Sequence, residues 1–296
     1  MAAVVMPADL GLVQRERLAF IDFRLYFLGS ISRGSIAGRF GVSPAVATRD
    51  LAMYREFAPA NTVFDGSSKL YRISDCFTPL FSHSLDRVFS VLSKGFGDGI
   101  GSASANVCCE TPAELNRPAQ NVVAAVSRAI ATGRALLITY VSVASGETER
   151  EIVPHALADN GLRWHVRAFD RRTSSFRDFV LTRVSHPRVM AGGPGEGEAA
   201  GDDAEWNRIL CLEIVAHPDG ARPELAAMDF GAEDGVLRMA ARAALAGYLL
   251  QRWSVDCSDE HVLDPVSHPL WLRNGSVLEG CESFRIAPGF KAGRHG

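Results

Sequence analysis

Gly41-Val42-Ser43-Pro44-Ala45-Val46-Ala47-Thr48-Arg49 places a tight turn directly ahead of a helix start. Gly41 tolerates the positive φ of a sharp turn at little cost. Val42 is an apolar residue before a hydroxyl N-cap, Ser43, and Pro44 stands at the first helical position, where its missing N–H is not needed. The helix that begins here runs to about Phe57. Upstream, Ser32 caps a short helix through Phe40. Before that, Leu18, Ile21, Phe23, Leu25 and Leu28 give a helix from Gln14 to about Leu28 with a wide buried stripe, ended by Gly29. Downstream, Thr62 to Ile73 reads as a hairpin, with Val63-Phe64 and Leu70-Tyr71-Arg72-Ile73 flanking Asp65-Gly66-Ser67-Ser68. Helix, short helix, glycine turn, helix and hairpin is the order of a winged helix-turn-helix, spanning residues 1–78.

In such a unit, residues near the start of the second paired helix face base edges in the major groove. That end carries Ser43, Ala45, Val46, Thr48 and Arg49. The hydroxyls suit bases or phosphates, and Arg49 can grip guanine O6 and N7 with two hydrogen bonds. Arg33, Arg39 and Arg55 suit phosphates, as do Lys69 and Arg72 on the hairpin. The plainer alternative is an interaction domain with solvent-facing charges, since residues 1–75 hold nine basic against seven acidic side chains. One helix-turn-helix reads few base pairs, so a two-fold dimer on a pseudo-palindromic double-stranded site is expected.

A second informative stretch is Arg163-Trp164-His165-Val166-Arg167-Ala168-Phe169-Asp170. Side chains alternate along a strand, so Arg163, His165, Arg167 and Phe169 point one way and Trp164, Val166 and Ala168 the other. One face packs; the other offers guanidinium and imidazole groups to a planar anion. Around it, Ala135–Val143, Thr148–Pro154, Leu162–Asp170 and Phe176–Val184 read as short strands of a small sheet or barrel. A connecting helix is expected over Pro79–Leu92, a small-residue linker over Gly95–Asn116, and a helix from about Pro118 to Thr132. Gly192–Asp203, rich in Gly, Glu and Asp, reads as a solvated linker. Beyond it, strand Ile209–Ala216, helix Pro223–Phe230, strand Gly235–Ala241 and helix Ala243–Trp253 form an α+β unit.

With 47% hydrophobic and 22% charged residues, the chain has the composition of globular domains with cores of their own. No apolar run of about 18 residues exists, and Met1–Leu12 lacks a basic region before its apolar stretch, so a cytoplasmic protein without a membrane span is expected. The six cysteines are scattered without zinc-ligand spacing; neither metal nor cofactor is expected. The adjacent Cys108 and Cys109 are read as loop residues, with a redox pair as the alternative. The net charge of −3 hides a gradient: nine basic against six acidic residues over 134–190, but nine against 17 over 191–296. An anionic partner is thus expected to touch only part of the protein.

Three matches make residues 134–191 resemble the WYL domain of bacterial transcription regulators. They are Trp164-His165-Val166 where that family has Trp-Tyr-Leu, the strand end Ile152-Val153-Pro154-His155, and Arg177-Asp178-Phe179-Val180-Leu181-Thr182-Arg183-Val184. The resemblance is to the regulators beside anti-phage defence systems, of the BREX and CBASS type. It implies an α+β multidomain chain: winged helix-turn-helix (1–78), helical connector and linker (79–133), Sm-like small β-barrel (134–191), acidic linker (192–207) and a C-terminal extension for dimerisation (208–296). It also implies a homodimeric repressor released by an anionic effector such as a nucleic-acid fragment or nucleotide. Together with the chemistry, it makes Tyr140, Ser142, His155, His165, Arg167 and Arg183 the effector candidates, with Trp164 packing. Duller roles stay open: Arg183 pairing with Asp178 or Asp170, and His155 as a structural histidine. No G-x-S-x-G, H-E-x-x-H, G-x-x-x-x-G-K-[ST] or carboxylate pair at metal spacing occurs, so the chain is read as no enzyme. A protein-interaction adaptor is the other rival.

Overall fold

A computed structural model describes residues 10–96, 117–232 and 234–291. Cys108-Cys109 and Gly97–Gly101 lie outside the described residues. The chain divides into two units, Met1–Pro112 and Ala113–Gly296.

In the first unit, helix α1 (Leu12–Leu28) leads through β1 (Ser30–Ile31) to α2 (Arg33–Phe40) and α3 (Pro44–Phe57). Gly41 adopts φ +62° between the paired helices, and the Ser43 side chain accepts from Val46 N–H at 3.4 Å. Strands β2 (Thr62–Asp65) and β3 (Leu70–Ile73) form the wing, and β1 adds to it in the order β1-β3-β2. Leu18, Ile21 and Leu25 of α1 are fully buried with Ile36, Ala47 and Tyr54, each large side chain contributing about 1.5–3 kcal/mol. The expected connecting helix is shorter: α4 covers only Leu85–Lys94. Residues 78–83 are instead pinned in non-helical form. Buried Asp22 of α1 accepts from Tyr54 Oη–H (2.7 Å), Leu80 N–H (3.0 Å) and Phe81 N–H (3.3 Å), and lies 2.8 Å from His83 Nε2. Asn61 adds bonds to Tyr54 Oη and to the Thr78 backbone.

The second unit opens with α5 (Gln120–Thr132) and a five-stranded antiparallel sheet. Its strands are β4 (Leu136–Ser142), β5 (Gly146–Asp159), β6 (Trp164–Asp170), β7 (Ser175–Val180) and β8 (Val184–Val189), in the order β7-β6-β5-β4-β8. The pairing shifts register at Leu137/Thr139 and at Pro154/Ala156, irregularities that bend a strand. Among the described residues no β7–β8 pairing joins the two edge strands. Val122, Val126 and Ala129 of α5 cover its core of Leu136, Ile138, Ile152, Val166 and Phe179. The fifth strand was not foreseen because Pro187 interrupts it, which an edge strand tolerates.

The stretch expected to be a solvated linker is mostly exposed over 192–202 but is anchored to the rest of the unit. Arg171 grips Glu198 with hydrogen bonds of 2.6–3.1 Å, Ala200–Asp202 forms a 3-10 turn, and Asp203 is buried at the N-cap of α6 (Ala204–Asn207). Then follow β9 (Ile209–Ala216), α7 (Pro223–Phe230), β10 (Val236–Arg242), α8 (Ala243–Arg252), β11 (Val255–Asp256) and β12 (Leu270–Leu272), with sheet order β10-β9-β12-β11. The short β11 and β12 escaped sequence reading. At Gly247 of α8 a Cβ would stand 1.9 Å from Ser283 O, so only glycine lets the helix approach the 3-10 turn Glu282–Ile286.

Candidate DNA-reading surface and effector site

All eight nominated DNA contacts, Arg33, Ser43, Ala45, Thr48, Arg49, Arg55, Lys69 and Arg72, are exposed. They are not equally free. Thr48 Oγ1 donates to Pro44 O (2.9 Å) and Ser43 caps its own helix, so both hydroxyls are partly spent on α3. Arg55 lies 5.9 Å over the Tyr71 ring. Arg72 is paired with Asp65 at 3.0 Å. Asp65 also accepts from Ser67 and Ser68, and these bonds hold its carboxyl far below the usual range. Arg49 and Arg33 have no carboxylate partner among the described residues. Arg39 corrects the phosphate reading: it is half-buried, 5.5 Å from the Phe40 ring and 5.2 Å from Phe96.

The effector candidates correct the expected open basic face. Arg167 is 3% exposed. Its Nε and Nη2 donate to Asp203 at 2.8 and 3.0 Å, and Nη1 donates to Asp178 at 3.4 Å. His155 Nε2 lies 3.0 Å from the same Asp203, while its buried Nδ1 has no hydrogen-bond partner. Asp178 accepts from Tyr248 Oη–H of α8 at 3.3 Å, and that ring sits 5.3 Å from His165. His155, Asp203, Arg167, Asp178 and Tyr248 are therefore linked by polar contacts, with Asp203 and Arg167 buried and the other three half-buried, and the Tyr248 ring extends the cluster to buried His165. Burial opposes the Asp203 charge, but bonds from Arg167, Trp206 N–H and His155 outweigh it and hold the carboxyl low. For Asp178 burial prevails over Arg167 and Tyr248, and its carboxyl is raised.

The other candidates do not join this cluster. Tyr140 is core, edge-on to Phe179 at 5.0 Å, its hydroxyl accepting from Val180 N–H. Ser142 closes the β4–β5 turn against Ser145. Arg183 pairs with neither Asp178 nor Asp170, because Arg167 and Arg150 hold those carboxylates; it has no carboxylate partner among the described residues, and its charge reaches His165. Trp164 corrects the packing assignment. At 46% exposure, it lines a concavity of about 550 Å3 with Leu157, Leu162, Arg163 and Leu181, beyond the core that Val166 and Ala168 fill. Asp203 and Tyr248 were missed, with only the acidity of residues 192–207 hinting at the first, and Asp178, expected at most as a partner of Arg183, instead meets Arg167 and Tyr248.

His165 is 3% exposed and its pKa falls to about 4, because burial removes it from water and Arg163 and Arg183 oppose a further positive charge. The unfolded imidazole, near 6.5, protonates first as pH falls, so stability drains away from about pH 7 to about pH 4, by about 3 kcal/mol in full. Urea midpoints at pH 7.5 and 4.5 test this. The His165→Gln variant is expected to lose less stability over that range than the parent, and an equal loss would contradict it.

A winged helix-turn-helix, a small sheet with buried arginine chemistry and an α+β unit define a WYL-domain transcription regulator, and residues 121–189 match the WYL domain. Residues 13–94 match the BrxR transcriptional regulator winged helix-turn-helix domain, and residues 209–278 match the BrxR C-terminal dimerization domain. The chain belongs to the family of the DNA-binding transcriptional repressor CapW. It is 33% identical to CapW of Escherichia coli (strain KTE188) over 88% of this chain and 89% of that one. With CapW of Pseudomonas aeruginosa it shares 32% identity over 80% and 81%, respectively. A chain of proteasome accessory factor B/C (PafBC) of Arthrobacter aurescens aligns over 83% of this chain and 47% of its own, at 18% identity and a TM-score of 0.27, too distant to bear on the fold. The chain is thus a regulator and not an enzyme. Among the described residues no helix is long and apolar enough to cross a membrane.

Proposed function

We propose that this protein is a homodimeric, sequence-specific repressor of an anti-phage defence operon, acting in the cytoplasm and released from its operator by an anionic effector of nucleotide or nucleic-acid type at the WYL domain. The DNA-reading part is carried by one observation: the exposed start of α3 presents Arg49 without a carboxylate partner beside Ala45 and Thr48. Relatives called DNA-binding transcriptional repressors support the sign of regulation. The effector part is supported by the cations Arg163 and Arg183 acting on His165, and by Arg167, whose fork suits an oxyanion.

Gel-shift titration on DNA upstream of the protein's own operon tests the first part. Arg49→Ala is expected to weaken specific retention about 5–150-fold, equivalent to about 1–3 kcal/mol for one bidentate base contact, with the dimer intact by sedimentation. Retention unchanged by the substitution would move the reading helix elsewhere. For the effector, Arg183→Ala is the cleaner probe, since it breaks no ion pair among the described residues. Repression is expected to persist while induction is lost, and a variant that responds like the parent would remove Arg183 from the site.

A further inference from the structure

We infer that Asp203 is a tethered stand-in for the effector's anionic group, so that a phosphate-type oxyanion binds by taking over the guanidinium fork of Arg167 and displacing Asp203 together with the helix it caps. The inference rests on the proposed effector reading and specifies how that site is regulated.

Three observations carry it. First, the carboxylate meets Nε and Nη2 of Arg167 in the two-point geometry that phosphate oxygens also satisfy. Second, the seat is imperfectly filled with Asp203 in it. His155 uses Nε2 on Asp203, leaving Nδ1 buried without a partner, and a second carboxylate, Asp178, crowds the same guanidinium. Arg163 directly precedes β6, and its charge and that of Arg167 both reach Tyr248; cationic field is therefore available to a multiply charged anion. Third, Asp203 does not sit alone. It caps α6 by accepting from Trp206 N–H at 3.1 Å. Trp206 O in turn accepts from Arg242 at 2.6 Å, with that guanidinium 4.7 Å from the indole, and Glu205 accepts from Glu282 N–H. Arg242 is the last residue of β10 and the N-cap of α8, inside the stretch matching the dimerization domain. Release of Asp203 therefore uncaps α6 and loosens the link between the WYL sheet and the dimerization domain. Binding and release are coupled because only one anion can occupy the fork.

The test uses the full-length protein with inorganic pyrophosphate as probe, followed by calorimetry and amide hydrogen exchange. Saturating pyrophosphate is expected to speed exchange at the Trp206 amide at least about tenfold, and Asp203→Asn, which removes the competing charge while keeping the shape, is expected to bind pyrophosphate about tenfold more tightly. Unchanged exchange at Trp206 under saturation, or an Asp203→Asn affinity no tighter than the parent's, overturns the inference. If Asp203→Asn does not fold, the exchange measurement on the parent decides alone. Should pyrophosphate bind, and the response depend on Arg183 while Trp206 stays protected, the effector reading survives and the role of Asp203 falls. Absence of binding to both proteins sinks the two together.

Discussion

Replacing Arg167 with methionine is expected to destabilise the second unit by about 3–5 kcal/mol, the usual consequence of removing one partner of a buried ion pair. Asp203 is 1% exposed and would lose two charge-assisted hydrogen bonds, while Asp178 would face it with no cation between them. A hydrophobic partner cannot compensate a carboxylate held in that position. Urea unfolding followed by tryptophan fluorescence reads the loss, since Trp164 and Trp206 both belong to this unit. The double variant Arg167→Met/Asp203→Asn is expected to recover a substantial part, and the cycle isolates the pair. A single-variant loss below about 1 kcal/mol, the range of solvated pairs, would mean that water reaches the network. Because this destabilisation would confound any loss of induction, Arg167 is a poor residue on which to test effector binding alone.

Asp22→Ala is expected to remove about 3–5 kcal/mol from the first unit. The substitution strips the acceptor from Tyr54 Oη–H and from two backbone N–H groups, and the partner from His83; each buried donor left without an acceptor costs about 1–3 kcal/mol. The effect extends beyond global stability. Residues 78–83 reach α4 along a path set by this carboxylate, so amide exchange at Leu80 and Phe81 is expected to accelerate more than at Leu51 in the centre of α3. Uniform acceleration across the unit would refute a local tether.

The order of elements was readable wherever short-range chemistry decides it. Val42-Ser43-Pro44 sets the start of α3, and Gly41 the turn before it, whatever the rest of the chain does. The wing follows from β-formers around Asp65-Gly66. Strand alternation also placed Val166 and Ala168 correctly in the core. What it missed is that a face carrying His165 and Arg167 can be buried as well, if another segment brings the counter-charge. Asp203 lies 36 residues from Arg167, and nothing local marks it as a partner. Composition alone made 192–203 look solvated, because acidic residues favour water until a guanidinium is placed against them. Pro79–Leu92 was over-read as helix for a related reason: the acceptor that holds residues 80 and 81 out of helical form is Asp22, nearly sixty residues earlier.

The Asp65–Arg72 pair of the wing bears on how DNA retention should answer a change in salt concentration. Each DNA phosphate neutralised by a protein cation releases counterions and steepens the log–log decline of affinity with ionic strength by about 0.9. A guanidinium already balanced by its own hairpin carboxylate releases fewer. A wing whose guanidinium stays paired is thus expected to leave operator retention with a shallower salt dependence than its count of basic residues implies.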